Sequence, residues 1–405
     1  MELLAPAGDM EKLRAAVDYG ADAVYFGGEM FSLRAGAGNL TVQEIDEAMS
    51  WLHSRGARGY MALNIFAHNE DIEPLAKYLD EIKGIPIDGF IVSDPGVIAV
   101  LKDRIQDAEL HLSTQANMTN YMTARFWRQQ GVKRLVLARE LTFDEIRQIR
   151  DHIPEDMELE AFAHGAMCIS YSGRCLLSNF MTGRDANRGQ CAHPCRWRYR
   201  LVEEQRPGEY YPVEEDERGT YILNSKDLCM LEHIPEMDAA GISSAKVEGR
   251  MKSVFYVATV VGAYRRALDA FYKDPEGYRY DPRWMEELCK ASRREFTTGF
   301  YFHSPTDEDQ NYLTSAYIRD YSFIGVVKSF DPETSMAVVE QRNKMSVGDE
   351  IEVFGPGRDF FSQRLEVLLD EEDQPIDSAP HPQQTVKIKM KEPVEEKFIL
   401  RKRKS

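Results

Sequence analysis

Gly89-Phe90-Ile91-Val92 is a short apolar run that ends in a polar turn, Ser93-Asp94-Pro95-Gly96, with a helix-like segment after it. The same pattern recurs on both sides of it. Leu3-Leu4-Ala5, Ala23-Val24-Tyr25-Phe26 and Tyr60-Met61-Ala62-Leu63 come before. Leu110-His111-Leu112, Arg134-Leu135-Val136-Leu137, Leu159-Glu160-Ala161-Phe162 and Ser244-Ala245-Lys246-Val247 come after. Short apolar strands that alternate with amphipathic helices are the signature of parallel βα units, whose strands are covered on both faces. Eight such units predict a closed (β/α)8, TIM-like barrel, with a doubly wound open sheet as the alternative.

The repeat is interrupted between about 168 and 240, and the interruption carries the cysteines. Cys168, Cys175, Cys191, Cys195 and Cys229 fall there, Cys289 is separate, and the first 167 residues contain none. A hairpin-like stretch, Arg198–Val202 and Tyr210–Val213, flanks Arg206-Pro207-Gly208. Insertions at the C-terminal ends of barrel strands are where such folds place their chemistry. A long helix is expected after Lys252, and the Pro-, Tyr- and Asp-rich stretch 274–320 reads as irregular. From 321 the texture changes to short alternating strands, such as Asp349–Phe354 and Gln384–Lys389. This predicts two domains: a barrel over 1–320 and a small all-β barrel over 321–405.

The chain has 405 residues, 43% hydrophobic and 29% charged, with a net charge of −17. No apolar run approaches the roughly 18 residues that span a bilayer. The N-terminus, Met1–Pro6, lacks the basic start and long apolar stretch of a signal peptide, so the expected location is cytoplasmic, with no membrane partner. The negative sum argues against broad, non-specific nucleic-acid binding, yet leaves room for a local basic patch.

In a reducing compartment, clustered cysteines act as metal ligands or reactive thiols more often than as disulfides. The steps from Cys168 to Cys175 and from Cys191 to Cys195 allow thiolates to converge, and by spacing alone an iron–sulfur cluster and a structural zinc site are equally good readings. Cys289, in the helical context Glu286-Glu287-Leu288-Cys289, reads as a core residue. A cysteine-peptidase reading would use Cys168 with His164, but a nucleophile and its base usually come from distant segments.

The run Glu160-Ala-Phe-Ala-His-Gly-Ala-Met-Cys168, continued by Gly173-Arg-Cys-Leu-Leu-Ser178, resembles the signature of the bacterial collagenase-like peptidase family. The resemblance extends to Leu4–Gly8, Phe31–Ala35, Lys246–Lys252 and Phe296–Phe300. It implies an oxygen-independent hydroxylation factor carrying a 4Fe–4S cluster, and it favours iron–sulfur over zinc. Members of this family act on tRNA, on 23S ribosomal RNA or in ubiquinone biosynthesis. Chain length, the segment Cys191-Ala-His-Pro-Cys195-Arg-Trp and the C-terminal β domain resemble the tRNA branch. That branch converts the wobble uridine of certain tRNAs to 5-hydroxyuridine, with prephenate as co-substrate or effector. Its cluster ligands map to Cys168, Cys175, Cys191 and Cys229, with Cys195 as an alternative to Cys229. The family name leaves a peptidase as the competing activity, and some relatives work with a homologous partner subunit.

A tRNA anticodon loop as substrate requires cations for phosphate and flat groups for a splayed base. Arg174, Arg184, Arg188, Arg196, Arg198 and Arg200 crowd the insert, and the loop of the eighth strand adds Lys246, Arg250 and Lys252; about half of the arginines are expected to pair with Asp185, Asp227 or Glu248. Trp197, Tyr171 and Phe180 are stacking candidates or packing residues. Prephenate is a dicarboxylate, so its expected site draws on Arg34, Arg139, Arg250, Lys246, Gln115 and His164 near strand ends. Asn64, Ser113, Asn117 and Glu140 share that rim.

Overall fold

The computed structural model describes the whole chain except residues 33–37, 168–175, 185, 187–189, 197–199, 202–210, 213–225, 292, 304–317 and 405, with the backbone alone at 196, 200, 201, 211 and 212. The first half alternates strand and helix: β1 (Glu2–Pro6), α1 (Met10–Asp18), β2 (Ala23–Gly27), α2 (Val42–Ser54), β3 (Arg58–Leu63), α3 (Asn69–Ile82), β4 (Gly89–Val92), α4 (Pro95–Arg104), β5 (Leu110–Leu112), α5 (Tyr121–Gln129), β6 (Val132–Val136), α6 (Phe143–Asp151) and β7 (Glu158–Ala166). The insert follows with α7 (Leu177–Thr182), the short hairpin β8 (Arg200–Leu201) and β9 (Tyr211–Pro212), and β10 (Asp227–Cys229). The barrel resumes with α8 (Ile234–Ala239), β11 (Ser244–Val247) and α9 (Val254–Lys273). Then come α10 (Pro282–Cys289) and β12 (Phe296–Thr297).

β11 closes the circle. It runs parallel to β1, with Glu2 opposite Ser244, and parallel to β7, with Glu160 opposite Ser244. The eight expected strands therefore form a closed parallel barrel. β7 runs nine residues, past the barrel wall, and its last turn pairs antiparallel with β10, placing Cys229 opposite His164 and Asp227 opposite Ala166.

The helices form where capping and periodicity agree. Thr41 and Glu44 make a reciprocal capping box at the start of α2, and Ile45, Ala48, Met49 and Leu52 then bury one face at helical spacing. α10 lies inside the stretch expected to be irregular. Asp281 caps it, Pro282 occupies its first turn and Leu288 is its buried anchor.

Inside the barrel, Leu4, Ala23, Tyr25, Tyr60 and Ile91 form a small apolar cluster of their own. Beside it lies a buried ionic network. Arg134 is 2% exposed and bonds Glu2 (2.7 Å), Glu158 (2.6 Å) and Glu160 (3.2 Å). Lys246 Nζ bonds the other Glu160 oxygen at 2.6 Å and lies 4.3 Å from the centre of the Tyr25 ring.

The C-terminal sheet comprises β13 (Tyr321–Asp331), β14 (Met336–Gln341), β16 (Glu350–Phe354), β17 (Phe361–Arg364), β18 (Leu368–Leu369), β20 (Thr385–Lys389) and β21 (Ile399–Arg403); β15 (Met345–Ser346) and β19 (Ser378–Ala379) pair separately. It is antiparallel in the order β17-β16-β21-β13-β14-β20-β18, curled into a half-barrel around its own apolar core rather than closed by a ladder. A side chain bridges part of the gap: Gln363 Nε2 donates to the Lys389 carbonyl, and its Oε1 accepts from Lys391 N. Fully buried Arg401 bonds both Glu287 of α10 and Glu352 of β16, tying the sheet to the barrel.

Candidate active site at the C-terminal mouth of the barrel

Parallel strands end on one face, so the residues just after β4, β5, β6, β7 and β11 share a mouth. Arg139 follows β6. Its Nη1 donates to the Ala166 carbonyl at 2.8 Å, its guanidinium lies 3.9 Å from the centroid of Phe162, and Nη2 is 3.7 Å from Glu248. Phe162 and Ala166 belong to β7, so Arg139 is clamped between two strand ends with its plane fixed by stacking.

Arg250, after β11, is 3% exposed. Its Nη1 donates to Ser32 Oγ at 2.7 Å and its Nη2 to Asn39 Oδ1 at 2.5 Å, which joins the loop after β11 to the loop after β2. A Cβ on Gly27 would collide with that guanidinium, so the close approach requires glycine. Lys246 departs from the expected rim. It lies on β11 itself, inside the barrel, with its charge committed to Glu160. Glu248, an expected partner of the insert and eighth-strand cations, lies instead near Arg139, and Lys246 takes the unforeseen Glu160.

Several buried polar atoms at adjacent strand ends have no hydrogen-bond partner among the described residues: Ser93 Oγ after β4, Gln115 Nε2 and Asn117 Oδ1 after β5, and Arg139 Nε after β6. Gln115 is 2% exposed, and its Oε1 accepts from Ser113 Oγ at 3.1 Å, which leaves the amide nitrogen over. An orphaned buried donor is costly unless something occupies it. Glu140, beside Arg139, has its carboxyl pushed upward by burial.

His164 is 2% exposed among the rings of Tyr256, Tyr264 and Phe296, and its Nδ1 lacks a partner among the described residues. Burial, reinforced by the Lys252 cation, pulls its pKa down to about 3, so the imidazole is neutral at physiological pH. Across the β7–β10 ladder, buried Cys229 places Sγ 3.8 Å from Tyr264 Oη. That hydroxyl donates to the Ala163 carbonyl at 2.7 Å and accepts from Met230 N at 3.0 Å. It thereby pins β10 to β7 one rung beyond the Cys229–His164 pair, where Met230 N also donates to the Ala163 carbonyl at 2.9 Å. Burial pushes the Cys229 thiol up to about 12, the opposite of an activated nucleophile.

In the insert, Cys191 is half-buried and its sulfur accepts from His193 N at 3.4 Å; Cys195 sits in the short helical turn Pro194–Arg196. Arg184 is exposed just beyond α7. Cys168, Cys175, Arg34, Arg174, Arg188, Arg198, Trp197 and Tyr171 lie outside the described residues, as do the side chains of Arg196 and Arg200. Among the described residues, no group of three His, Cys, Asp or Glu is placed to hold a metal ion, and no helix is long and apolar enough to cross a membrane.

The sequence reading gave no role to Glu160, Arg134, Tyr264 or Ser93. The signal for the first two was charge within strand-like runs, which in a parallel barrel marks an interior partner. Tyr264 carries no such mark, since one more tyrosine on an apolar helix face reads as packing.

The pattern of peptidase family U32 matches residues 8–311, and that of its C-terminal domain matches residues 319–401. The tRNA hydroxylation protein P1 of Bacillus subtilis is 43% identical over 401 residues, covering 99% of this chain and 94% of the relative. The tRNA hydroxylation protein P of Escherichia coli is 36% identical, covering 88% and 86%. A collagenase of Porphyromonas gingivalis is 32% identical, covering 91% and 89%. With matches spanning both the barrel and the curled sheet, the chain belongs to peptidase family U32.

Proposed function

We propose that this protein hydroxylates RNA, converting the wobble uridine of tRNA to 5-hydroxyuridine without molecular oxygen. The observation that carries the reading is 43% identity to a tRNA hydroxylation protein along 99% of the chain. The proposed cofactor is a 4Fe–4S cluster on Cys168, Cys175, Cys191 and Cys229, with Cys195 as the alternative fourth thiolate. The chemistry of the donors fits. Burial holds Cys229 as a neutral thiol, and a bound iron supplies the positive charge that makes a buried thiolate stable. Cys229 is opposite His164, and Cys168 follows His164 by four residues, a reach of at most ~13 Å of extended chain. When bound, such a cluster supplies one-electron transfer.

Prephenate is the proposed co-substrate or effector. Arg139, stacked on Phe162, offers a guanidinium of fixed orientation to a carboxylate, and Gln115 Nε2 and Ser93 Oγ offer further donors at neighbouring strand ends. Arg250 holds two loops together around that mouth. Lys246 acts from below, through Glu160, rather than by contact.

The collagenase relative motivates the competing reading, peptidase activity. Cys229 argues against its own use as nucleophile, since its sulfur faces a tyrosine hydroxyl and its thiol is held protonated. Nucleoside analysis of tRNA from cells lacking this protein, in strains also unable to make prephenate and then fed it, tests both parts. Hydroxyuridine that requires protein and prephenate together supports the reading. Hydroxyuridine indifferent to prephenate removes the co-substrate, and hydroxyuridine indifferent to the protein removes the function.

A further inference from the structure

α7 turns one face to the interior of the insert and the other to solvent. Ser178, fully buried, fixes the first face: its Oγ donates to the Arg184 carbonyl at 2.7 Å and accepts from Ala192 N at 2.9 Å, next to Cys191. Gly183 ends the helix in the left-handed region at φ 67°. The opposite face carries Phe180, 88% exposed and the most exposed large apolar side chain among the described residues, with Leu176 four positions earlier at 70%. Packing around the site therefore does not account for Phe180. Exposed Arg184 follows by four residues and has no ion-pair partner among the described residues. The insert also concentrates arginine in a chain of net charge −17. An exposed flat ring and, four residues on, an exposed guanidinium, in a segment anchored next to Cys191, are complementary to a splayed base and its phosphate.

We infer that Phe180 is a stacking platform for an unpaired RNA base and that Arg184 holds an adjacent phosphate, docking the anticodon loop over the mouth. This rests on the RNA-hydroxylation reading and adds the surface that receives the RNA. Both residues position the nucleic acid.

The test uses anaerobically purified full-length protein and an unmodified tRNA labelled for fluorescence anisotropy. Phe180→Ala is expected to weaken binding roughly 5- to 100-fold, with Phe180→Trp retaining it. Arg184→Ala is expected to reduce the slope of log affinity against log salt by about one. If wild type binds tRNA and Phe180→Ala binds it equally, the platform is wrong and RNA hydroxylation stands. If wild type binds no tRNA, the function proposed above fails and takes this inference with it. A dimer in sedimentation that Phe180→Ala dissociates overturns the inference in favour of contact between two copies.

Discussion

Replacing Glu160 with glutamine removes the charge on which the barrel interior turns. The side chain is fully buried, with Lys246 Nζ at 2.6 Å on one oxygen and Arg134 Nη1 at 3.2 Å on the other. Arg134 keeps Glu2 and Glu158 when Glu160 is neutralised. Lys246 keeps the faces of Tyr25 and Phe162, at 4.3 and 5.8 Å, and no carboxylate among the described residues. An uncompensated buried charge of this kind costs about 3–5 kcal/mol. Lys246→Met should cost less, because Glu160 still faces Arg134. The double variant Glu160→Gln/Lys246→Met should be more stable than Glu160→Gln alone, with a coupling of about 1–3 kcal/mol. Denaturant midpoints at neutral pH measure all three. A loss below ~1 kcal/mol for Glu160→Gln, or a double variant equal to the sum of the singles, refutes the reasoning.

The same group sets a pH dependence. Burial alone raises the Glu160 carboxyl, but Lys246 and Arg134 outweigh it and the net shift is downward. A carboxyl lower in the folded than in the unfolded state stabilises above its unfolded pKa, about 4.3, and that contribution is lost as pH falls toward the folded value. Wild type should therefore lose stability on acidification below about pH 4.3 more steeply than Glu160→Gln.

Other consequences follow from single contacts. Tyr264→Phe removes a hydroxyl that donates to Ala163 O and accepts from Met230 N, two groups that also bond each other at 2.9 Å, so it should destabilise by only about 0.5–1.5 kcal/mol for each bond lost while loosening the strand that carries Cys229; hydrogen exchange at Met230 reads the loosening. Cys229→Ser should lower iron and sulfide per chain, whereas Cys289→Ser, in a separate helix, should leave both unchanged by elemental analysis. Arg401→Met leaves Glu287 and Glu352 with Lys290 as their cation, and should free the C-terminal sheet enough for limited proteolysis to cleave near its junction with the barrel. Arg139→Lys keeps the charge but loses the planar stack on Phe162, and should weaken prephenate dependence roughly tenfold in apparent affinity.

The barrel was legible because each strand is an apolar run with its own turn and helix, a pattern broken only by the insert after β7. Closure became visible only in the register. Lys246 sits two residues beyond Ser244, which pairs with Glu160, so their ion pair spans 86 positions and is defined by shear rather than by local pattern. For that reason Lys246 reads as a rim cation in sequence and is an interior one in the fold. The helical context Glu286-Glu287-Leu288-Cys289 is the last turn of α10, whose start at Asp281-Pro282 is masked by the surrounding prolines and tyrosines. Alternation reports the C-terminal strands and leaves unstated whether the last strand meets the first. At the mouth, the sequence named Arg139, Gln115 and His164 as residues near strand ends. The orphaned donors that distinguish Gln115 from a packing residue exist only once its neighbours are placed.

The central claim is that this chain hydroxylates tRNA through thiolates in its insert. The most direct measurement quantifies 5-hydroxyuridine and its derivatives in total tRNA from cells lacking this protein, any paralogue and any oxygen-dependent hydroxylase. Those cells are complemented with wild type or with Cys168→Ala at matched protein levels. The account predicts that the nucleosides are absent, return with wild type and stay absent with Cys168→Ala. Full restoration by Cys168→Ala, or no restoration by wild type, would contradict it.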